Sequence, residues 1–188
     1  MPTATKTMNQ PELNSTISLP SGVSATTGAG RFTVKGPKGE VTRHLFHPRI
    51  SASIDADGIT LTAKDVTRRE KKMIYTFTSH IKNMVDGVTE GHNYQLKVCS
   101  GHFPMTVAIK GGMFEVKNFL GEAVPRSIKL DAKTAVKIDG VIVTVDSVDL
   151  EAAGQMAARI EQLCKRAGFD RRIFQDGIYI THKCGKAV

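Results

Sequence analysis

The sequence contains no tryptophan, only three tyrosines and three cysteines, and no long apolar run in its 188 residues. A membrane-spanning helix needs about 20 consecutive, mostly apolar residues, so we predict no membrane partner. The first residues lack the apolar segment of a signal peptide. Cys99, Cys164 and Cys184 are odd in number and form no Cys-x-x-Cys pair, which argues against a disulfide-rich secreted domain. We therefore expect a cytoplasmic protein.

Signatures of catalysis are also missing. The sequence has no Gly-x-Ser-x-Gly elbow, no His-Glu-x-x-His, no Walker loop and no paired carboxylates at catalytic spacing. Two short pairs, Cys99 with His102 and His182 with Cys184, do not have the spacing of a zinc site. The sequence therefore predicts a protein that is not an enzyme and that holds no metal and no cofactor.

The charge balance points to a polyanionic partner. Lysine and arginine number 26 against 18 aspartates and glutamates, which gives a net charge of +8, and 40% of the residues are hydrophobic. This composition is typical of a folded protein and not of a disordered basic tail. A folded protein with a positive field attracts RNA, DNA or an anionic membrane surface.

Strand-like segments in the first half are followed by one helical segment. Residues 1–13 are polar and predict a flexible leader. Short β-prone runs separated by glycine and proline follow, which predicts an antiparallel meander. Thr67 and Glu70 have the spacing of a capping box, and apolar residues at helical spacing continue to about residue 86. We predict one α+β unit over residues 14–89, in which one long helix covers an antiparallel sheet.

The second half repeats this plan at a constant offset of 82 positions. The matched residues are Phe32, Val34, Lys35, Gly39 and Glu40 in the first half and Phe114, Val116, Lys117, Gly121 and Glu122 in the second. The same offset places Asp149, at the start of a second helix, opposite Thr67. We interpret this register as an internal duplication, so the predicted fold is α+β with two similar units. The second unit spans residues 90–188 and ends in a basic tail.

Two features of the first unit resemble binding sites. Residues 36–39 read Gly-Pro-Lys-Gly, and a Gly-x-x-Gly loop clamps nucleic acid in KH domains. Because strand-like runs and not helices flank this loop, a hairpin turn is the better interpretation. Four cations, Arg68, Arg69, Lys71 and Lys72, cluster where the first helix starts, and such clusters are more often solvated faces than binding sites.

The C-terminal segment is the predicted main contact with a polyanion. Its cations are Lys165, Arg166, Arg171, Arg172, Lys183 and Lys186, opposed by Asp170 and Asp176. Glycines between them let backbone approach a phosphate closely, and arginine can bind two phosphate oxygens at once.

Four separated motifs resemble a known family. They are residues 83–91 (NMVDGVTEG), 102–105 (HFPM), 117–122 (KNFLGE) and 174–180 (FQDGIYI). Their order and spacing resemble the large-subunit ribosomal protein family called L-six in bacteria and L-nine in eukaryotes, and the HFP and DGIY signatures resemble its eukaryotic branch. The likeness extends from about residue 13 to residue 184. The family's fold, two similar α+β units, agrees with the 82-residue register.

The resemblance implies a structural, non-catalytic constituent of the large ribosomal subunit that binds ribosomal RNA near the stalk base and the sarcin-ricin region. Its expected partners are that RNA, neighbouring ribosomal proteins and nearby translation factors. A free-standing RNA-binding or regulatory module is the alternative. The predicted RNA-binding residues are Lys117, Asn118, Arg126, Lys165, Arg166, Arg171, Arg172, Lys183 and Lys186.

Overall fold

A computed structural model describes residues 10–28, 30–55, 58–170 and 172–188 of the chain. The chain divides into two compact units, Met1–Glu90 and Gly91–Val188. Both units combine antiparallel strands with one long helix, which confirms the predicted α+β class. Within the described ranges, no helix is both long enough and apolar enough to cross a membrane.

The described residues of the first unit form six strands and one α-helix. They are β1 (Gln10–Ser18), β2 (Ser24–Gly28), β3 (Arg31–Gly36), β4 (Gly39–His44), β5 (Ile50–Asp55), β6 (Gly58–Val66) and α1 (Arg68–Thr89). The strands form two antiparallel sheets, ordered β1-β6-β5 and β2-β3-β4, where the sequence predicted one sheet. Helix α1 closes the core, in which Val34, Leu61, Ile74, Ile81 and Val88 are fully buried.

Strand β1 begins within the predicted leader. It starts at Gln10, because residues 10–13 continue the antiparallel ladder along the nine-residue strand β6 as far as Val66. The last four residues of the predicted leader therefore belong to the sheet. Residues 1–9 of that leader lie outside the described residues.

The start of α1 confirms the predicted capping box. Thr67 is the N-cap, and its side chain accepts a hydrogen bond from the backbone N–H of Arg69. Glu70 accepts one from the backbone N–H of Thr67 at 3.0 Å. These bonds satisfy amides that have no partner within the helix. The Thr67 hydroxyl bond lowers the pKa of Glu70 to about 2, and the guanidinium of Arg49 contributes.

The Gly-Pro-Lys-Gly loop is a hairpin turn that holds the other end of α1. Gly36 pairs with Gly39 across the turn between β3 and β4. The backbone N–H of Lys38 donates to the carbonyl of Val88 at 3.0 Å, and its ammonium donates to the carbonyl of Glu90. A Cβ at Gly36 would lie 2.7 Å from a methyl carbon of Val88. The loop therefore caps the helix C-terminus, where carbonyls lack partners.

In the described part of the second unit there are eight strands and one α-helix. They are β7 (His92–Cys99), β8 (Thr106–Lys110), β9 (Met113–Lys117), β10 (Arg126–Lys129), β11 (Ala135–Asp139), β12 (Ile142–Ser147), α2 (Leu150–Leu163), β13 (Gly177–Lys183) and β14 (Lys186–Ala187). The strands form sheets ordered β11-β12-β7-β13-β14 and β10-β9-β8. Leu96, Phe114, Val143, Met156 and Ile160 are fully buried in the core.

The two units share their strand order. The sheets β1-β6-β5 and β2-β3-β4 correspond to β7-β12-β11 and β8-β9-β10, with β13 and β14 added in the second unit. Val34 and Val116, which the offset of 82 relates, are both buried, and the offset also relates the two N-caps, Thr67 and Asp149. These correspondences support the predicted duplication, which stays a prediction.

Candidate nucleic-acid interface

The loop that follows β9 differs from its counterpart in the first unit. The second unit inserts the 3₁₀ turn Phe119–Gly121, preceded by Asn118, before β10 begins. Asn118 has a φ of 58°, Leu120 of 48° and Gly121 of 76°, so three residues adopt left-handed backbone within four positions. The Asn118 amide donates to the carbonyl of Pro104 at 3.0 Å. Phe119 is buried and anchors the loop, and Lys117 is exposed beside it.

Arg126, a predicted RNA contact, is engaged inside the unit. Its Nε and Nη2 donate to the two carboxylate oxygens of Glu122, each at 2.7 Å. Its Nη1 donates to the carbonyls of Leu163 at 2.7 Å and Lys165 at 3.2 Å, and the guanidinium lies 4.4 Å over the ring of Phe119. These bonds satisfy free carbonyls at the end of α2. The hydrogen bond from Arg126 also lowers the pKa of Glu122. Arg126 therefore positions neighbouring groups.

A row of stacked side chains extends from this network. Arg166 lies 3.4 Å from a carboxylate oxygen of Glu122, and its guanidinium lies 4.4 Å over the ring of Phe169. Phe169 meets Phe174 edge to face at 5.0 Å between ring centroids, and Phe174 lies 4.9 Å from His102. We call Arg166, Phe169, Phe174 and His102 the stacked strip. Phe169 is 38% exposed, so the strip presents an aromatic surface next to a cation.

Asp176 fixes one end of the stacked strip. It is buried and accepts hydrogen bonds from the backbone N–H groups of Gly101 and His102 and from the His102 ring. Burial raises the pKa of Asp176, but these hydrogen bonds outweigh burial and lower it overall. A carboxylate held in this way fixes the loop around residue 102 against the segment before β13. Phe103, which is 49% exposed, follows directly.

A cleft of about 320 Å³ lies beneath the strip. Its lining includes Phe119, Cys164, Lys165, Phe169 and Ile178. Burial raises the pKa of the Cys164 thiol to about 11, so this thiol stays protonated and is not a nucleophile at neutral pH. The cleft therefore combines aromatic walls with a cationic rim.

Arg172 projects further into solvent than the strip. Its side chain is 90% exposed, and its guanidinium bonds to the carboxylate of the neighbouring Asp170 at 2.8 Å. Lys165 is exposed at the rim of the cleft. Arg171 lies outside the described residues. Lys165, Arg166 and Arg172 are thus brought to one loop region, as the sequence suggested.

The remaining two predicted residues lie elsewhere. Lys183 and Lys186 face each other across the β13–β14 hairpin, whose turn is formed by Cys184 and Gly185. Strand β13 begins at Gly177, directly after Asp176, and Lys183 is six residues along it. At about 3.3 Å per residue, these lysines lie roughly 20 Å from the start of the strand. The basic tail is therefore not one continuous surface.

Sequence reasoning missed the aromatic members of the site. The sequence predicted no role in RNA binding for the rings of His102, Phe169 or Phe174. Phe169 and Phe174 are close in sequence, whereas His102 reaches Phe174 across about 70 positions, beside its hydrogen bond to Asp176. The available signal was a phenylalanine flanked by glycine and arginines in a loop, because aromatic and cationic side chains together are typical of nucleic-acid surfaces.

These features define a basic, two-unit α+β protein whose second unit has the surface chemistry of a nucleic-acid-binding protein. In the part of the chain that the structure describes, no group of three or more His, Cys, Asp or Glu residues could hold a metal ion.

Comparison with known proteins gives the family. A family model described as Ribosomal protein L6 matches residues 19–91. Large ribosomal subunit protein uL6 of Methanosarcina mazei is 41% identical over 172 residues, which cover 92% of this chain and 98% of that relative. The protein of the same name from Natronomonas pharaonis is 41% identical over 88% of this chain and 93% of its own length. That of Haloarcula marismortui is 43% identical over 89% and 94%.

The chain belongs to this ribosomal protein family. The prediction drawn from the four motifs is thereby confirmed, and so is the prediction of a structural, non-enzymatic protein. The three relatives are archaeal, and the narrower resemblance to the eukaryotic branch stays a prediction.

Proposed function

We propose that this protein is a structural constituent of the large ribosomal subunit in the cytoplasm, and that it binds ribosomal RNA with the loops of its second unit. The stacked strip is the observation that carries the proposal. It combines exposed aromatic rings with arginine on loops that Glu122, Arg126 and Asp176 hold in place. The membership of the ribosomal family supports the same function.

The chemistry of the strip suits unstacked bases and phosphates. Bases stack on phenylalanine, histidine and guanidinium planes, and arginine binds two phosphate oxygens at once. Arg172 and Lys165 add cations beside Phe169 and Arg166. Lys117 and Asn118 extend the surface along the loop after β9. We assign Arg126 the task of holding this loop against α2, with no direct RNA contact required.

Lys183 and Lys186 form a separate contact in this proposal. Lys183 pairs with Lys186 across the hairpin and with Tyr94 on β7, and both lysines present compact charges. Such charges neutralise phosphates and carry little base information. We therefore expect their loss to weaken binding uniformly across sequences.

The location on the ribosome is the finer part of the proposal. The resemblance supports a position near the factor-binding region, at the stalk base and the sarcin-ricin region. Neighbouring ribosomal proteins and passing translation factors would then adjoin it. A rigid aromatic and cationic surface fits a role in holding a folded RNA element in position, because such RNA is recognised mainly by its shape and backbone.

Sedimentation of tagged protein through sucrose gradients tests the function. We expect the wild type to travel with large subunits at moderate salt. Phe169→Ala removes one stacking platform and should weaken binding to large-subunit RNA by about 5- to 150-fold, since stacking contributes about 1–3 kcal/mol per base. Arg172→Glu should also weaken it. Lys129→Glu reverses an exposed charge on β10 and serves as the matched control.

Two results would contradict the proposal. Wild-type protein found only in the free soluble fraction would exclude a ribosomal constituent. Equal RNA affinity for Phe169→Ala, Arg172→Glu and Lys129→Glu would exclude the strip as the RNA surface. Crosslinking distinguishes the alternative, because a ribosomal protein should crosslink to one ribosomal RNA site and a free-standing module to many transcripts.

A further inference from the structure

The exposed side of α1 carries a concentrated positive surface that the proposed function does not use. Its members are Arg68, Arg69, Lys71, Lys72, Tyr75 and Lys82, and we call this set the basic face. All six side chains are exposed. At 100° per residue, Arg68, Lys72, Tyr75 and Lys82 fall on one stripe, opposite the buried stripe of Ile74, Ile81 and Val88.

Among the described residues, no carboxylate pairs with the cations of the basic face. No ion pair or side-chain hydrogen bond joins them to another residue in the described ranges. Helix α1 contains two carboxylates, Glu70 and Asp86. Glu70 is buried and bound to Thr67 and Arg49, and Asp86 lies at the opposite end of the helix. The charge on this face is therefore uncompensated.

The position of this charge opposes the helix dipole. The N-terminal end of a helix is its positive end, where carboxylates stabilise and cations destabilise. The first five residues of α1 include four cations, which therefore lie where positive charge is unfavourable for the helix. The first-turn amides are already satisfied by Thr67 and Glu70, so the amides themselves are not the binding groups.

The second unit provides an internal comparison. Its helix α2 has an acidic first turn and no cation there. The offset of 82 relates Arg68, Arg69, Lys71 and Lys72 to Leu150, Glu151, Ala153 and Gly154. The fold therefore does not require the cluster, because the corresponding helix forms without it. Residues 1–89 hold 12 cations against 7 acids, so this unit is basic although the stacked strip lies in the other.

We infer that the basic face is a second RNA-binding surface, which contacts the phosphate backbone of structured ribosomal RNA independently of the stacked strip. The inference rests on the proposed function. Arg68 and Lys82 are 14 residues apart, so the face is about 21 Å long at 1.5 Å per residue. That length spans several phosphates, and Tyr75 in the middle of the stripe offers a ring for contact with a sugar or an unpaired base.

A charge-neutral variant tests the inference. Arg68, Arg69, Lys71 and Lys72 are all replaced by glutamine, which is a good helix former and removes the conflict with the helix dipole. We expect this variant to melt at the same temperature as the wild type or higher. The control replaces four exposed lysines of the second unit, Lys97, Lys110, Lys129 and Lys137, by glutamine. Both variants lose the same net charge.

The readout is the affinity for large-subunit RNA as a function of salt, with footprinting of the bound RNA. Raising the salt from 50 to 200 mM lowers the affinity of the wild type for RNA. Because the variant has four fewer phosphate contacts, the factor by which its affinity falls should be about 50 to 150 times smaller. We also expect the variant to lose one footprint and to keep the footprint that Phe169→Ala weakens. A salt dependence equal to that of the wild type would overturn the inference. The same change in the variant and in the control would also overturn it, because net charge and not the basic face would then determine the affinity.

Failure of the proposed function would look different. Wild-type protein would then bind large-subunit RNA no better than unrelated RNA and would not travel with the subunit. If the wild type does both and the neutral variant retains every footprint and the full salt dependence, the second surface alone is refuted. If the basic face binds an acidic protein and not RNA, we expect the neutral variant to retain every footprint and the full salt dependence.

Discussion

Replacement of Arg126 tests whether this residue positions neighbouring groups or contacts RNA directly. The guanidinium donates to both oxygens of Glu122 and to the carbonyls of Leu163 and Lys165, and it stacks on Phe119. Arg126→Ala removes all of these contacts at once. It also leaves Glu122, whose side chain is 26% exposed, with only the longer contact to a second arginine.

The cost follows from the kinds of contact that are lost. Hydrogen bonds to the two carbonyls contribute about 1 kcal/mol each, and the cation–π contact adds about 0.5–1 kcal/mol. The pair with Glu122 is partly exposed, so solvent screening limits it to about 1 kcal/mol. Because such contributions are not additive, we expect Arg126→Ala to lower the free energy of unfolding by about 2–3 kcal/mol.

Urea unfolding followed by circular dichroism measures this change. With a slope of about 2 kcal/mol per M, the unfolding midpoint should fall by about 1–1.5 M. Arg126→Lys keeps the charge but loses the planar fork, so it should retain only part of the stability. Lys129→Ala, on the same strand, is the control and should leave the midpoint unchanged.

RNA binding supplies the decisive comparison. Under conditions where both proteins are folded, the affinity of Arg126→Lys for large-subunit RNA should lie within about threefold of the wild-type affinity. We expect this because Arg126 contacts no phosphate in the proposed function. An unchanged urea midpoint for Arg126→Ala, together with a tenfold or greater loss of RNA affinity, would refute the reasoning and make Arg126 an RNA contact.

Two further predictions concern α1. Gly36→Ala places a Cβ against Val88 and should cost about 1–3 kcal/mol in urea unfolding, whereas Gly28→Ala, with nothing within 4 Å of its Cβ, should cost less than about 0.5 kcal/mol. Equal costs would contradict the contact. Glu70 has a pKa of about 2 when folded against 4.5 ordinarily, so its contribution is present above pH 4.5 and is lost towards pH 2. The urea midpoint of Glu70→Gln should therefore fall less than that of the wild type between pH 6 and pH 3; equal falls would contradict this.

Local signals in the sequence predicted the first helix better than the second. The capping box and the apolar period set the start of α1 correctly, and both act within a few residues. Apolar residues at helical spacing, with Gly168 after them, predict a second helix from about Asp149 to Arg166. Helix α2 instead ends at Leu163, where the guanidinium of Arg126 takes the free carbonyls. Arg126 lies 37 positions from Leu163, and local sequence does not reveal such a contact.

The candidate site was predicted in its charges but not in its assembly. Lys165, Arg166 and Arg172 do lie in one loop region, because they are close in sequence. Phe169 and Phe174 belong to the same segment, but His102 is brought to them by tertiary contacts. Lys183 lies away from this region because it is six residues along the extended strand β13. Charge composition therefore predicted the type of partner, whereas the shape of the surface depends on how the strands pair.

Two RNA surfaces on one chain have a consequence for binding. Once the stacked strip has bound, the basic face of α1 meets RNA at an effective concentration set by the covalent connection and not by the concentration of free protein. Loss of either surface should then reduce the affinity for RNA by a larger factor than the affinity of that surface in isolation predicts. In this proposal one unit places its aromatic and cationic groups on loops, and the other unit places its cations along a helix. The neutral variant of α1 and Phe169→Ala, measured singly and together, test this linkage. If the double variant has the same affinity for RNA as the single variant that binds more weakly, the two surfaces do not bind the same RNA molecule.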